Sequence, residues 1–391
     1  MYIEDTLQRA TQAQLRLLRA HLPFSLPVLR RMQVAAGAFD GINPDGTTGS
    51  GITSPDAHVL FAYDCDEAPA AVQDDHVPFA AIFLELDRAP ETAAWIYASD
   101  QDQDLDQELY PANNDRPDEW VVDRGAELVA TWSVERRARC RRLVLALLRR
   151  ARDITSAMAP RLLVQLSARF SSPDRAAAFI KSIKANLHDG IRYVLQHPGP
   201  EEEEDRTAVV LLYYDAYDKW LFRAEDLPVL SQPEETEHPT GLTDLGQGQP
   251  ALLWDRLRTH DDAALVISRT AIPRTKETLL SVPSVALREK NTTPGEQGVF
   301  QAWAFVGLDG SLWTLHTEPA YRGQGLAKTL AARMFRQYGS IFDATMDDAE
   351  HNDGWCAADV SANNRQSQGV CKRLGAKRAW STSWWVLHLP F

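Results

Sequence analysis

Residues 312–338 constrain the fold of this chain more than any other stretch. A strand-like run, LWTLHT at 312–317, leads through a glycine-rich turn into a strongly helical segment that ends near Gly339. Small residues in the turn let consecutive backbone N–H groups curl around an anion, and the helix directs the positive end of its dipole at the same point. A phosphate or pyrophosphate would fit there. The predicted anion site consists of Arg322, Gly323, Gln324, Gly325, Leu326 and Ala327.

The segments around this unit alternate between helical and strand-like character, which predicts an α/β or α+β sheet architecture. In the second half, the predicted helices are 251–257, 272–280 and 364–374, and the predicted strands are 284–287, 299–306, 355–360 and 379–389. The first half begins with a predicted helix pair within residues 7–34. It continues with predicted strands at 58–63, 78–86, 93–98, 162–166 and 208–214 and predicted helices at 134–154 and 176–185.

A segment rich in Pro, Gly, Thr and Glu, residues 227–249, is the best candidate for a linker between two halves. We therefore place a domain boundary near residue 226, which gives domains 1–226 and 227–391. With 391 residues, 44% of them hydrophobic, the chain is long enough for two domains.

The charge and cysteine content exclude several classes of partner. Asp and Glu outnumber Lys and Arg by 54 to 41, a formal charge of -13, so a polyanion such as DNA would meet mostly repulsion. The four cysteines lie far apart without zinc-site spacing, and no apolar stretch approaches the roughly 18 residues of a membrane helix. The opening residues lack a secretory signal. We expect a cytoplasmic protein with free thiols, no metal, no nucleic-acid partner and no membrane partner.

Eight arginines lie in the predicted helix 134–154, which is a high density for an acidic protein. We interpret them as a basic face neutralised by acidic neighbours, and an anion or partner site is the alternative. The glycine-containing stretch 40–56 is predicted to be a surface loop, because it lacks the Gly-Lys-Ser/Thr spacing of a nucleotide-binding P-loop. The acidic run 201–205 is predicted to be a solvated loop.

Two ordered motifs in the second half carry a family resemblance. Arg322, Gly325 and Ala327, directly after the predicted strand, resemble the acyl-CoA pyrophosphate loop of the GNAT acyltransferase superfamily. Downstream, Asn364, Ser367 and a helix that ends in Leu-Gly resemble the closing motif of the same superfamily. Two motifs in this order are much more specific than either one alone.

The resemblance is strongest over residues 280–376 and is to the glycine N-acyltransferase-like branch. It implies two GNAT-like mixed-sheet halves, of which only the C-terminal one retains the acyl-CoA site. It also implies an acyl-CoA-dependent N-acyltransferase. Acetyl-CoA or another acyl-CoA would be the co-substrate, and the amine of a small molecule or amino acid would be the acceptor. A homodimer is one possible assembly.

The resemblance further implies how the acyl-CoA is held. In this superfamily the strand corresponding to 312–317 splays from the next strand, and its unpaired backbone groups bind the pantetheine arm as an added strand would. Here these groups belong to Leu315 and Thr317, and Asn364 and Ser367 complete the cofactor site. One such N–H would also polarise the thioester carbonyl.

The catalytic positions depart from the superfamily pattern. Ser311 stands where a Glu or His base is usual, and a serine hydroxyl is not a useful base near pH 7, although it can position a water. The candidate replacements are Asp309, His316 and Asp359, but strand alternation turns His316 away unless a bulge reorients it. The usual Tyr acid falls on Cys371, which is either a proton donor or a packing residue.

Two alternatives stay open. The departure at Ser311 motivates the first, a non-catalytic GNAT module that binds CoA or another ligand without turnover. The second keeps the acyltransferase but has a hydroxyl or a protein lysine as the acceptor.

Overall fold

The computed structural model describes residues 1–39, 53–67, 77–86, 93–102, 124–167, 170, 172–199, 210–228, 241–242, 251–290, 298–347 and 353–388. Three segments singled out in the sequence lie wholly or largely outside these residues. They are the glycine-containing loop 40–56, the acidic run 201–205 and the linker 227–249.

The first half contains six strands and six helices among the described residues. They are β1 (Tyr2–Leu7), α1 (Gln12–Ala20), α2 (Leu26–Ala35), β2 (His58–Tyr63), β3 (Phe79–Glu85), β4 (Ala93–Ala98), α3 (Arg124–Val129), α4 (Val134–Ser167), α5 (Pro173–Ile180), β5 (Ser182–His188), α6 (Asp189–Gln196) and β6 (Val210–Arg223). The predicted helix pair near the start is α1 and α2. Strand β1, which precedes it, was not predicted.

The second half alternates strands and helices around the glycine-rich turn. Its described elements are β7 (Gly241–Leu242), β8 (Leu252–Asp255), α7 (His260–Ser268), α8 (Lys276–Ser281), β9 (Ser284–Glu289), β10 (Phe300–Val306), β11 (Leu312–Thr317), α9 (Leu326–Tyr338), β12 (Trp355–Ser361), α10 (Arg365–Arg373) and β13 (Lys377–His388).

The strands form two sheets, which confirms the mixed α/β architecture with two halves. The eight-stranded sheet has the order β1-β2-β3-β4-β5-β13-β6-β12, and the five-stranded sheet has the order β11-β10-β9-β8-β7. Strands β4 and β5 run parallel, and β5, β13, β6 and β12 follow in antiparallel order.

Two strands from the end of the chain complete the sheet of the first half. Strand β13 lies between β5 and β6, and β12 pairs with the outer edge of β6. The last strand of the first half therefore has strands of the second half on both sides. The boundary near residue 226 falls just after β6 and stays a prediction.

Helices cover both faces of this shared sheet and one face of the other. Leu143 and Leu147 of α4 are fully buried against one face of the eight-stranded sheet, and Leu15 and Leu29 of α1 and α2 against the opposite face. Helix α9 packs fully buried side chains, such as Leu330, into the core that joins the five-stranded sheet to β12. This last core positions the glycine-rich turn.

Residues 162–166 are helical, whereas the sequence predicted a strand. Pro160 does not end α4, which continues to Ser167. Leu162 and Leu166, each 1% exposed, lie one helical turn apart and face the same core. A short apolar run does not distinguish a strand from a buried helical turn.

Two predicted helices contain strands instead. The predicted helix 176–185 ends at Ile180, and β5 follows, because Ile183, Ala185 and Leu187 alternate into the core beneath α4. The predicted helix 251–257 is β8, which pairs antiparallel with β9. Helix α7, which follows it, was not predicted.

The arginines of α4 are neutralised by acidic groups of the first half, as the sequence predicted. Arg139 lies 2.5 Å from the carboxylate of Asp100, and Arg150 lies 2.6 Å from that of Asp5. Arg136 donates to the backbone carbonyl of Asp100. The basic face is therefore engaged within the protein.

Candidate functional site

Strands β11 and β12 diverge where the two sheets meet. Strand β11 is the edge of the five-stranded sheet and β12 is the edge of the eight-stranded sheet. Within the described ranges a single parallel bridge, Ser311 to Ala357, joins them. Beyond this bridge both strands continue without pairing, so their facing edges carry unpaired backbone groups. This confirms the predicted splay.

A β-bulge interrupts β11 inside this opening. Trp303 pairs with His316 and Phe305 with Trp313, so Thr314 and Leu315 together oppose the single residue between Trp303 and Phe305. Thr314 has a φ of 50°, which is uncommon for a residue with a β-branched side chain. A bulge of this kind bends the strand and re-aims its backbone groups. It lies at Leu315, one of the residues predicted to hold the pantetheine arm.

The turn before α9 forms an open cradle. Gly323 and Gly325 have φ values of 80° and 81°, and a Cβ atom at either position would meet nothing within 4 Å. Gly325 is the N-cap of α9 and gives no side-chain cap. The first N–H groups of a helix have no intrahelical acceptor, so those of Leu326 and Ala327 point out of the helix end. These residues fit an anion such as a diphosphate.

Two contacts hold the turn in place. The Nε of Arg322 donates to the carbonyl of Thr317 over 2.9 Å, which ties the turn to the end of β11. Leu326, 3% exposed, anchors the helix start in the core. Gln324, between the two glycines, has an exposed side chain.

The second predicted motif forms the start of α10. The Oδ1 of Asn364 accepts a hydrogen bond from the N–H of Ser367 over 3.0 Å, so this pair is the N-cap of the helix. Because β11 and β12 are parallel at their bridge, α9 and α10 follow the same ends of neighbouring strands. The cofactor-site role of Asn364 and Ser367 stays a prediction.

Ser311 and Asp309 bond to each other in the tight turn between β10 and β11. The Oγ of Ser311 donates to Oδ1 of Asp309 over 2.7 Å, and Nε1 of Trp313 donates to the same oxygen over 3.1 Å. Ser311 is 2% exposed and Asp309 is 3% exposed. The pair stabilises the turn that positions the start of β11.

His316 packs against the neighbouring strand β10. Its ring stacks on Trp303 at 4.6 Å, and its Nε2 lies 3.6 Å from a carboxylate oxygen of Glu318. Burial lowers the pKa of His316, although Glu318 opposes this shift. The bulge at Thr314 therefore leaves His316 in a packing position.

Asp359 forms an ion pair that the sequence did not indicate. Its Oδ1 lies 2.5 Å from the Nζ of Lys219, and the two side chains are 13% and 1% exposed. Burial raises the pKa of the Asp359 carboxyl and nearby Asp309 raises it further, while Lys219 opposes the shift. Lys219 lies in the first half of the chain, and only the pairing of β6 with β12 brings it here.

Cys371 is buried in α10 at 1% exposure. Burial raises the pKa of its thiol to about 12, so the thiol keeps its proton at neutral pH. All four cysteines are free thiols, as expected. The role of Cys371 as proton donor stays a prediction.

Comparison with known proteins identifies the family. A family model described as the acyl-CoA N-acyltransferase verG N-terminal domain matches residues 2–220, more than half of the chain. The chain belongs to this acyl-CoA N-acyltransferase family. This agrees with the acyl-CoA-dependent N-acyltransferase that the resemblance of the two motifs implied. No curated protein sequence matches the chain significantly.

Solved structures resemble this N-acyltransferase family member at low sequence identity, and the first of those described here shares its fold. A Drosophila protein is 13% identical, with a TM-score of 0.51 over 99% of both chains. A tandem GNAT protein from the clavulanic acid biosynthesis pathway is 12% identical, with a TM-score of 0.37 over 99% of this chain and 97% of its own. A GCN5-related N-acetyltransferase from Kribbella flavida is 14% identical, with a TM-score of 0.30 over 60% of this chain and 76% of its own.

Two further findings concern the described part of this N-acyltransferase chain. None of its helices is long and apolar enough to cross a membrane. It also contains no group of three or more His, Cys, Asp or Glu side chains placed to hold a metal ion.

Proposed function

We propose that this protein transfers an acetyl or other acyl group from CoA to the amine of a small molecule or an amino acid. The observation that carries the proposal is the open glycine cradle at the start of α9, beside the divergence of β11 and β12. An acyl-CoA carries a diphosphate next to a long amide-bearing arm. The cradle suits the diphosphate, and the open strand edge suits the arm. The family membership supports acyl-CoA as the donor.

Binding would use main-chain groups of the second half. The helix dipole and the N–H groups of Leu326 and Ala327 attract the diphosphate. A side chain at Gly323 or Gly325 would add bulk and strain where the anion approaches. The arm would pair with the open edge of β11 as an added strand, with Leu315 and Thr317 supplying the hydrogen-bonding groups.

Transfer would proceed by direct attack. The amine nitrogen bonds to the thioester carbonyl carbon, the C–S bond breaks, and CoA leaves as a thiolate. An N–H at the bulge of β11 stabilises the oxyanion formed on the way, which is worth about 3 kcal/mol for a well-placed donor. Fixing both reactants in one opening supplies much of the remaining acceleration.

Release of CoA tests the proposal. The purified protein is incubated with acetyl-CoA and longer acyl-CoA thioesters together with a panel of amines and amino acids, and free CoA thiol is measured. We expect amine-dependent release and an amide product by mass spectrometry.

Other outcomes identify the alternatives. Saturable CoA binding without release would indicate a non-catalytic module, which the engagement of Ser311 with Asp309 favours. An ester product, or an acylated protein lysine, would keep the acyltransferase and change the acceptor.

A further inference from the structure

A buried charge pair joins the two halves of the chain. Lys219 of β6 lies directly opposite Asp359 of β12 in the antiparallel register, and their charged atoms are 2.5 Å apart. Lys219 is 1% exposed, and in the described part of the chain its only ion-pair partner is Asp359. The Asp359 side chain as a whole is 13% exposed, while its Oδ1, which faces Lys219, is buried.

The pair lies at the point where β11 leaves β12. The last bridge between these strands is at Ala357, and Asp359 is the second residue beyond it. Residues two apart on a strand face the same side of the sheet. Asp359 therefore stands where the opening between the strands begins, next to the edge proposed to hold the acyl-CoA arm.

The other candidate proton acceptors near this opening are engaged elsewhere. The hydroxyl of Ser311 donates a hydrogen bond to Oδ1 of Asp309, and the same oxygen accepts a hydrogen bond from Nε1 of Trp313. His316 stacks on Trp303. Among the candidates taken from the sequence, Asp359 combines partial exposure with a position at the opening.

We propose that Asp359 accepts the proton of the attacking amine and that Lys219, from the first half of the chain, is a positioning residue that holds this carboxylate in place and ionised. The inference rests on the proposed acyl transfer. The amine loses its proton to the Asp359 carboxylate as the N–C bond forms and the C–S bond breaks. The carboxyl then returns the proton to solvent, and the departing thiolate takes one up, so an amide and CoA result.

The electrostatics suit this role. Burial raises the pKa of Asp359 above the ordinary value of a carboxyl, and Asp309 in the β10–β11 turn raises it further. Lys219 on β6 is the charge that opposes both effects. A base works best when its pKa lies near the working pH and it is still ionised there. Lys219 favours the ionised carboxylate, which is the form that accepts a proton.

The arrangement gives the first half a role in the reaction. Strand β6 is held between β13 and β12, so Lys219 approaches the opening from within the sheet. A second-half domain without β6 would leave Asp359 without its cation. The first half thus contributes a side chain next to the proposed acyl-CoA cleft.

Five variants of the full chain test the proposal: D359N, K219M, K219R, the double variant K219M/D359N and the control R223M. Arg223 lies on the same strand pair, four residues from Lys219, opposite Trp355. Three quantities are measured: the pH profile of kcat with acetyl-CoA and amine, CoA affinity by calorimetry, and thermal unfolding. Release of CoA to water without amine is measured in parallel, because it needs no known acceptor.

We expect D359N to lower kcat at least about 100-fold, within the range typical of a general base, and to leave CoA affinity nearly unchanged. K219M lowers kcat at neutral pH and moves the acid limb of the profile to higher pH, because the cation that favours the ionised carboxylate is gone. In K219R the acid limb of the pH profile of kcat stays at its wild-type position. R223M behaves as wild type.

The double variant separates positioning from folding. Removing both charges leaves no unpaired buried charge, so K219M/D359N should unfold at nearly the wild-type temperature. It should nevertheless stay as inactive as D359N. Near-wild-type turnover in D359N or in the double variant, or an unmoved acid limb in K219M, would overturn the inference.

The failure of the proposed function gives a different result. If the wild type releases no CoA with any acceptor or water, both proposals fail. If the wild type is active and the Lys219 and Asp359 variants are equally active, only the further inference fails.

Discussion

In each half of the chain, helical segments connect two parallel strands. The halves differ in how far the two strands pair and in whether the start of the connecting helix is capped. In the first half, β4 and β5 pair through three consecutive residue pairs. At the start of α4, the Oγ of Ser133 accepts the N–H of Arg136, and the Arg136 guanidinium lies 4.7 Å from the buried ring of Trp132. In the second half, β11 and β12 share one bridge, and the start of α9 is open.

The difference shows that the order of elements does not by itself create a binding site. At the start of α4 a backbone N–H is satisfied by the protein's own Ser133 side chain, whereas at the start of α9 the corresponding groups are the ones proposed to bind an anion. The facing edges proposed to admit a ligand between β11 and β12 have paired counterparts between β4 and β5. We therefore expect changes in the first half to act mainly on stability, except at Lys219, and changes at the α9 turn to act mainly on binding.

The largest expected effect is on the stability of the first half. Arg31 and Glu85 form a pair 2.7 Å apart, with side chains 0% and 3% exposed, so Glu85→Ala leaves a buried guanidinium without this carboxylate. We expect a loss of about 3–5 kcal/mol in the free energy of unfolding, measured with denaturant. Arg150→Ala, which breaks the more exposed pair with Asp5, should cost less than about 1 kcal/mol.

The Glu85→Ala variant also tests whether the first half affects CoA binding. CoA affinity of folded Glu85→Ala protein, measured by calorimetry, should equal that of the wild type. A clear loss of affinity would show that the first half shapes the cofactor site as well as its own core.

Next in size is the loss of CoA binding in Gly325→Glu. The new carboxylate stands beside the diphosphate and the residue is strained at a φ of 81°, so we expect affinity to fall on the order of 100-fold. Gly375→Glu is the matched control. Gly375 has a φ of 83°, equal room for a Cβ, and a position past the far end of α10. Equal losses in both variants, or none in Gly325→Glu, would contradict the assignment of the cradle.

A smaller effect concerns the pH dependence of stability. Burial lowers the pKa of His188 to about 3, so this residue stays neutral in the folded protein while its unfolded form protonates near pH 6.5. As pH falls below about 6.5, stability falls by up to about 1.4 kcal/mol per pH unit from this residue. His188→Asn keeps an acceptor for the Gly190 N–H and removes that slope in unfolding experiments between pH 7 and 4.

His316 is the residue of the second half to compare with His188 in the pH dependence of stability. The pKa of His316 is also lowered by burial, but Glu318 opposes the shift. His316→Asn should therefore flatten the pH dependence less than His188→Asn does. The reverse order would mean that the buried histidine of the first half is hydrated.

The smallest effect is expected for Ser311→Ala. The hydroxyl stabilises a turn through Asp309, so its loss should cost about 1 kcal/mol of stability and lower turnover by less than about threefold. Ser281→Ala removes a comparable hydrogen bond, to the Thr278 carbonyl, away from the opening. Complete loss of turnover in Ser311→Ala alone would place this hydroxyl on the proton route.

Much of the fold could be predicted where local signals agree. Strands β2, β4 and β11 have the predicted bounds 58–63, 93–98 and 312–317, because each is a short apolar or β-branched run between turn residues. Residues 162–166 and 251–257 were misassigned, because a short apolar run suits a helix and a strand equally. Burial beneath the sheet decides the first case, and pairing with β9 decides the second.

The candidate site also contains features that the sequence predicted and features that it did not. The glycine cradle and the cap of α10 depend on residues close together in the chain, so their spacing revealed them. The bulge at Thr314 and the pairing of Lys219 with Asp359 depend on the registers of β11 on β10 and of β6 on β12. A register is fixed by contacts between distant segments, and a shift by one residue turns every side chain to the other face.

The sequence by itself determined the strand, turn and helix that form the cradle, since backbone freedom at Gly323 and Gly325 and the helix start are local properties. Only the tertiary structure decided which strands border the opening and which side chains from the first half reach it. The incorporation of β12 and β13 into the eight-stranded sheet brings Lys219 to Asp359. This incorporation depends on packing and hydrogen bonding summed over the whole chain.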